Sequence, residues 1–218
     1  MSFYHDLVQA TASERAYLLS APAIVACQQG QVTLSRYQAF LAEAYYHVRH
    51  TVPLLMACGS RLGPEHRWLQ DAIVEYIEEE KGHDRWILND ITAAGGDSAA
   101  VESGTPQLAT ELMVSYAWDS IQRGNPVSFF GMVLVLEGTS VNLATPMAAL
   151  IQQQLGLPDS AMTYLTSHGS LDQQHIRFFA SLMDKVMADE DQAAIVHMAR
   201  VMFRLYGDVF RSLPMEGN

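Results

Sequence analysis

Three short stretches hold the side chains that could do chemistry. They are "EEKGHDRW" from Glu79 to Trp86, "LEGTS" from Leu136 to Ser140, and "HGSLDQQH" from His168 to His175. Glu80 and His83 are three residues apart, as are Asp172 and His175, and on a helix that offset puts both side chains of a pair on one face. His168 joins the second pair from one and two turns back. Two acid-x-x-His pairs on separate helices are the pattern by which carboxylate-bridged di-iron bundles supply half of their ligands, and the other half comes from lone carboxylates. Glu137 fits that role, because it follows "FFGMVLVL" in the most apolar segment of the chain. A buried carboxylate needs a cation, a proton or an arginine as partner. The set mixes imidazole and carboxylate without thiolate, which suits iron, with manganese as the other candidate, and six donors are too many for one zinc. A further ligand could come from "AEAYYHVRH", where Glu43 and His47 are one turn apart; the other reading is a surface glutamate and a hydrogen-bonded core histidine. Tyr46 and Tyr76 are candidate hydrogen-bond donors or electron sources beside the site, unless they are simply core.

The elements that must position these residues are helices. Apolar residues recur at intervals of three and four nearly throughout, and alternating Val/Ile/Thr runs with hairpin dipeptides are absent. The class is all-α, a compact bundle of about eight helices. The pattern predicts helices over Phe3–Leu19, Ala21–Gln29, Thr33 or Ser35 to Leu62, Glu65–Ala94, Gln107–Arg123, Val127–Leu155, Ser160–Met187 and Glu190–Leu213. The stretch "SAAVESGTP" reads as a loop, and Pro146 is expected to kink or split its helix after Leu143. No Pro/Gly/Ser-rich linker or internal repeat divides the 218 residues, so a single domain over 1–218 is expected.

Composition narrows the partners. Hydrophobic residues make up 49% and charged residues 17%, which predicts a thick core with fully buried helices. The net charge of −11 includes no basic stripe, so nucleic acid is not an expected partner. The apolar run Val127–Gly138 reads as a buried core helix too short for a bilayer, and no membrane partner is expected. The first residues lack the basic, apolar and cleavage regions of a signal peptide, so a cytoplasmic location is expected. Cys27 and Cys58 sit in apolar stretches and read as buried free thiols.

In this order and spacing the three motifs resemble the haem-oxygenase-like di-iron oxidases and oxygenases, within the wider group that holds the TenA-type thiaminases and the oxidase of pyrroloquinoline quinone synthesis. His83 to Glu137 is 54 residues and Glu137 to His168 is 31, both in keeping with that family. The resemblance runs from "GQVTLSRYQAFLAEAYYH" onward. It implies a haem-oxygenase-like bundle and a di-iron centre held by Glu80, His83, Glu137, His168, Asp172 and His175. Some members carry a glutamate seven residues before the first histidine; here that position is Tyr76, so Glu80 takes the role, with Glu79 as its substitute. The implied activity is O2-dependent oxidation of a small, largely apolar organic substrate, with Glu80, Glu137, Tyr46 and Tyr76 as the catalytic candidates. A homodimer is expected by resemblance alone. TenA-type hydrolysis fits less well, because no cysteine follows Cys58, and true haem oxygenases need an axial histidine that His5, so near the terminus, matches poorly. The other readings are therefore a metal-independent TenA-type hydrolase and a non-catalytic domain that binds a small ligand.

Overall fold

The structure, a computed structural model, describes residues 2–215, with the side chains of residues 168–174 outside the description. Helix follows helix along the described chain: α1 (Phe3–Ala10), α2 (Ala12–Leu19), α3 (Pro22–Gln28), α4 (Leu34–Val48), α5 (Thr51–Arg61), α6 (Arg67–Glu80), α7 (His83–Ala93), α8 (Ser98–Ser103), α9 (Leu108–Arg123), α10 (Phe129–Leu155), α11 (Thr163–Met183) and α12 (Asp189–Ser212). Single 3-10 turns at Pro64–His66, Pro126–Ser128 and Asp159–Ala161 lead into α6, α10 and α11. The class is all-α, as the periodicity predicts, but twelve α-helices stand among the described residues where about eight were expected.

Three of the four additional helices come from breaks inside expected ones. Thr11 leaves helical geometry (φ −112°, ψ 10°), and its hydroxyl donates to the Leu7 carbonyl at 2.9 Å, dividing α1 from α2. Pro53 falls in the first turn of α5, where its missing N–H leaves no intrahelical bond unmade; an unbroken helix would have placed it in the interior. Gly82, at φ 92°, divides α6 from α7 in a left-handed conformation that glycine adopts without steric cost. Elsewhere the correction runs the other way. Residues expected to be loop form α8, capped by the Asp97 carboxylate accepting from the Ala100 N–H at 3.0 Å. And α10 runs unsplit through Pro146 for 27 residues, about 40 Å at 1.5 Å per residue. Residues 126–155 are therefore long and apolar enough to cross a membrane, which the shorter Val127–Gly138 run did not suggest; 61% of the apolar window is buried inside the bundle, as in a core helix.

Packing places α10 at the centre, against α11 on one side and α12 on another, while α12 also packs on α2 and α9, and α4 on α7. At Gly131 the backbones of α10 and α12 nearly touch: a Cβ there would stand 2.7 Å from the Ala199 nitrogen and 2.8 Å from the Met198 Cβ. Helix starts are tied down by carboxylates from elsewhere in the chain. Asp90 on α7 accepts from the Thr163 and Tyr164 N–H groups at 3.2 and 2.7 Å, fixing the start of α11, and Asp184 accepts from Tyr4 N–H on α1 at 3.0 Å. The apolar interior falls into two clusters. One is built around α5, α6, α9, α10 and α12, with Leu54, Tyr76, Phe130 and Met202; the other lies between α4, α7 and the second half of α10, with Tyr37, Leu41, Ile87 and Ile151.

Candidate functional site

A cavity of about 160 Å³ lies where the two clusters meet, drawing its wall from both. On α10 the lining residues are Phe129, Met132, Val133, Leu136, Glu137, Thr139, Ser140, Leu143, Ala144, Met147 and Ile151, most of them at intervals of three and four along one face of the helix. Glu137 is the charged member of that set, and it is only 8% exposed. His47 from α4 and Tyr76 and Glu80 from α6 also line the cavity, amid Leu54, Leu55, Tyr164 and Tyr206. The result is an apolar chamber with carboxylate, imidazole and phenol groups on its wall, together with Arg36, whose guanidinium donates to the Gln31, Pro214 and Met215 carbonyls.

The chain break at Gly82 decides how the acid and histidine of α6 and α7 meet. Glu80 is the last residue of α6 and His83 the first of α7, so the pair spans the break, whereas the sequence places it on one continuous helix. The two still join: the His83 Nδ1–H donates to Glu80 Oε2 at 3.0 Å, with His83 2% exposed. Glu79, one residue back and about 100° around the helix, reaches the other histidine, and its Oε2 lies 2.9 Å from Nε2 of His175 on α11. Consecutive glutamates thus serve two different histidines. His175 is 6% exposed, and its ring meets that of Tyr76 edge to face at 6.3 Å. His47, 3% exposed, makes the same kind of contact with Tyr206 at 5.7 Å.

Two sequence candidates lie elsewhere. Glu43 is buried, but its carboxylate holds the start of α9: it accepts the Gln107 N–H at 3.2 Å and the Thr110 hydroxyl, and it does not line the cavity. Tyr46 is not a lining residue either; its ring lies against Tyr45 at 5.8 Å with the Arg49 guanidinium over it, and burial pushes its hydroxyl pKa up. His168 and Asp172 lie outside the described residues. Sequence reading gave Glu79 only a substitute's part, and its signal is its phase on α6, one step from Glu80. Cys27 lines the cavity, though its sequence context suggests only core packing; burial pushes its thiol pKa up, which keeps it protonated and a poor nucleophile. His5 stands exposed on α1, 3.5 Å from Asp6.

The all-α bundle that carries these carboxylates and imidazoles has the haem-oxygenase-like fold. The solved structures bear out the fold. A domain of unknown function from Shewanella denitrificans with a haem-oxygenase-like fold superimposes with a TM-score of 0.84 at 23% identity, over 94% of this chain and 89% of that one. A TenA homologue from P. horikoshii gives 0.79 at 8% identity over 96% and 97%, and the haem oxygenase of Leptospira interrogans 0.78 at 15% over 98% and 100%. Residues 38–207 match the model of a family described as iron-containing redox enzyme, and the chain belongs to that family. No curated protein sequence matches it significantly.

The donor set suits iron. Buried Glu137, His83 and His175, with Glu79 and Glu80, supply the carboxylates and imidazoles that iron accepts, and no thiolate competes. Among the described residues Glu80 pairs with His83 and Glu79 with His175, Glu137 belongs to neither pair, and no three His, Cys, Asp or Glu side chains converge as one metal-holding group.

Proposed function

We propose that the protein is an O2-dependent oxidase or oxygenase that uses two iron ions to oxidise a small, largely apolar organic molecule. The observation that carries this reading is Glu137, a carboxylate held 8% exposed on the wall of an apolar cavity that Glu80 also lines, one hydrogen bond from His83. A carboxylate buried in an apolar wall is stabilised by a cation beside it, and a cationic cofactor supplies one. Glu80, His83, Glu137 and His175 would hold iron, and the resemblance adds His168 and Asp172. When bound, ferrous iron supplies the electrons by which dioxygen is reduced.

The chain's own residues set what that chemistry acts on. The lining from α10 together with Leu54 and Leu55 excludes water, so a substrate enters by shedding its hydration shell, and selection is for apolar surface. At about 160 Å³ the cavity is below the roughly 300–1,000 Å³ of drug-sized pockets, so the substrate is compact. Tyr76 lines the chamber with its ring against His175, placed to fix that imidazole and to present a hydroxyl beside the substrate.

Anaerobic Fe(II) titration tests the reading. Wild type is expected to bind two iron ions per chain and, on exposure to O2, to give a transient visible absorption. Glu137→Ala and His175→Ala are expected to lose that binding. Wild type without iron at near-stoichiometric concentration, or variants that bind as wild type does, would sink it.

A further inference from the structure

We propose that Trp86 is the electron port of the site, the side chain through which single electrons pass from a soluble donor to the metal held by His83. This rests on the iron reading above. The indole of Trp86 lies flat on the His83 imidazole, with ring centroids 4.0 Å apart and planes at 27°. His83 is 2% exposed, so a donor in solution cannot touch it. Trp86 is half-buried, so the ring that covers the imidazole also reaches the surface, next in sequence to exposed Arg85, which pairs with Glu102 at 2.8 Å. The break at Gly82 makes this arrangement: His83 is the first residue of α7 and Trp86 stands three positions on, which puts the two rings on one face.

Tunnelling falls off exponentially with the gap an electron must cross, and two π systems in contact leave almost none. Among the described residues, Tyr76 and Tyr46 do not offer such a route. Tyr76 and Tyr46 are 2% and 6% exposed, and Tyr76 meets His175 only edge to face, at 6.3 Å. A donor that collides with the surface of α7 therefore passes its electron through the indole to the imidazole. The donor, a one-electron carrier, is oxidised by one electron, and one held ferric ion is reduced by one. The indole ends as it began, no bond is made or broken, and no proton moves.

The test is anaerobic stopped-flow reduction of the ferric, iron-loaded protein by reduced methyl viologen, with iron stoichiometry measured beforehand on each protein. Trp86→Leu is expected to bind iron as wild type does but to be reduced about tenfold more slowly, the change that about 1.4 kcal/mol of barrier makes. Trp86→Phe, which keeps a ring on His83, should fall between, and Trp118→Phe should match wild type. A role in packing alone would leave the reduction rate of an iron-loaded variant unmoved, and equal rates in Trp86→Leu and wild type overturn the proposal. If Trp86→Leu folds poorly or loses iron, Trp86→Phe decides: slower reduction supports the port and an unchanged rate overturns it. Wild type that binds no iron fails at the stoichiometry step, which removes the metal reading and the port with it.

Discussion

At the scale of single residues, the site was legible wherever a polar side chain interrupts an apolar stripe. Glu137 stands out in "FFGMVLVLEG" because its neighbours leave it no route to water, and the structure keeps it buried on the cavity wall. Glu43 shows the limit of that signal. It too is buried, yet its partners are the Gln107 N–H and the Thr110 hydroxyl on α9, and nothing local in sequence announces a contact 64 and 67 residues away. A buried carboxylate can serve a helix start as readily as a metal. The two roles separate in one variant. Glu43→Ala leaves the buried Thr110 hydroxyl and the part-buried Gln107 N–H without this acceptor and is expected to cost about 1–3 kcal/mol in urea unfolding. Its iron stoichiometry should equal that of wild type, and loss of iron without loss of stability would return Glu43 to the ligand set.

At the scale of elements, periodicity located the helices but not their interruptions, because a period of 3.6 continues in phase across a one- or two-residue break. The breaks come from particular residues. Pro53 forces a new start for α5, and Gly82 ends α6 between Glu80 and His83. Gly82→Ala meets no steric obstacle, since no atom lies within 4 Å of the added Cβ, so its cost is the left-handed backbone alone, about 1 kcal/mol. Relief of that strain would turn His83 relative to Glu80. The variant is therefore expected to bind iron more weakly than its small loss of stability explains, as comparison of Fe(II) titration with thermal unfolding will show. Gly131→Ala is the contrasting case. Its Cβ would collide with backbone of α12, so it is expected to destabilise by about 1–3 kcal/mol through overpacking. Unfolding at the wild-type midpoint would mean that α12 yields at no cost.

At the scale of the molecule, the all-α class followed from composition and period, and the haem-oxygenase-like arrangement was implied by the family that the motifs resemble. The division of the core into two clusters with a chamber between them did not, because it depends on which helices meet. That divided core still buries thiols and phenols almost completely, with a consequence for stability against pH. Cys58 is fully buried in the larger cluster, where desolvation raises its thiol from the ordinary 9.0 to about 12. Desolvation also raises the Cys27 thiol and the Tyr37 and Tyr4 hydroxyls. In each case the native state keeps a proton that the unfolded chain gives up at lower pH, so the native state binds more protons and stability falls as pH rises. For Cys58 the contribution is intact below pH 9 and is lost between about 9 and 12, in total roughly 4 kcal/mol at 1.36 kcal/mol per unit. Urea midpoints measured at several pH values from 7 to 11 are expected to hold steady to about 9 and then drop. Cys58→Ala should start from a lower midpoint, because it leaves a small void, but decline less steeply above pH 9. Parallel declines in the two proteins would mean that the thiol ionises as readily in the native state as in the unfolded chain.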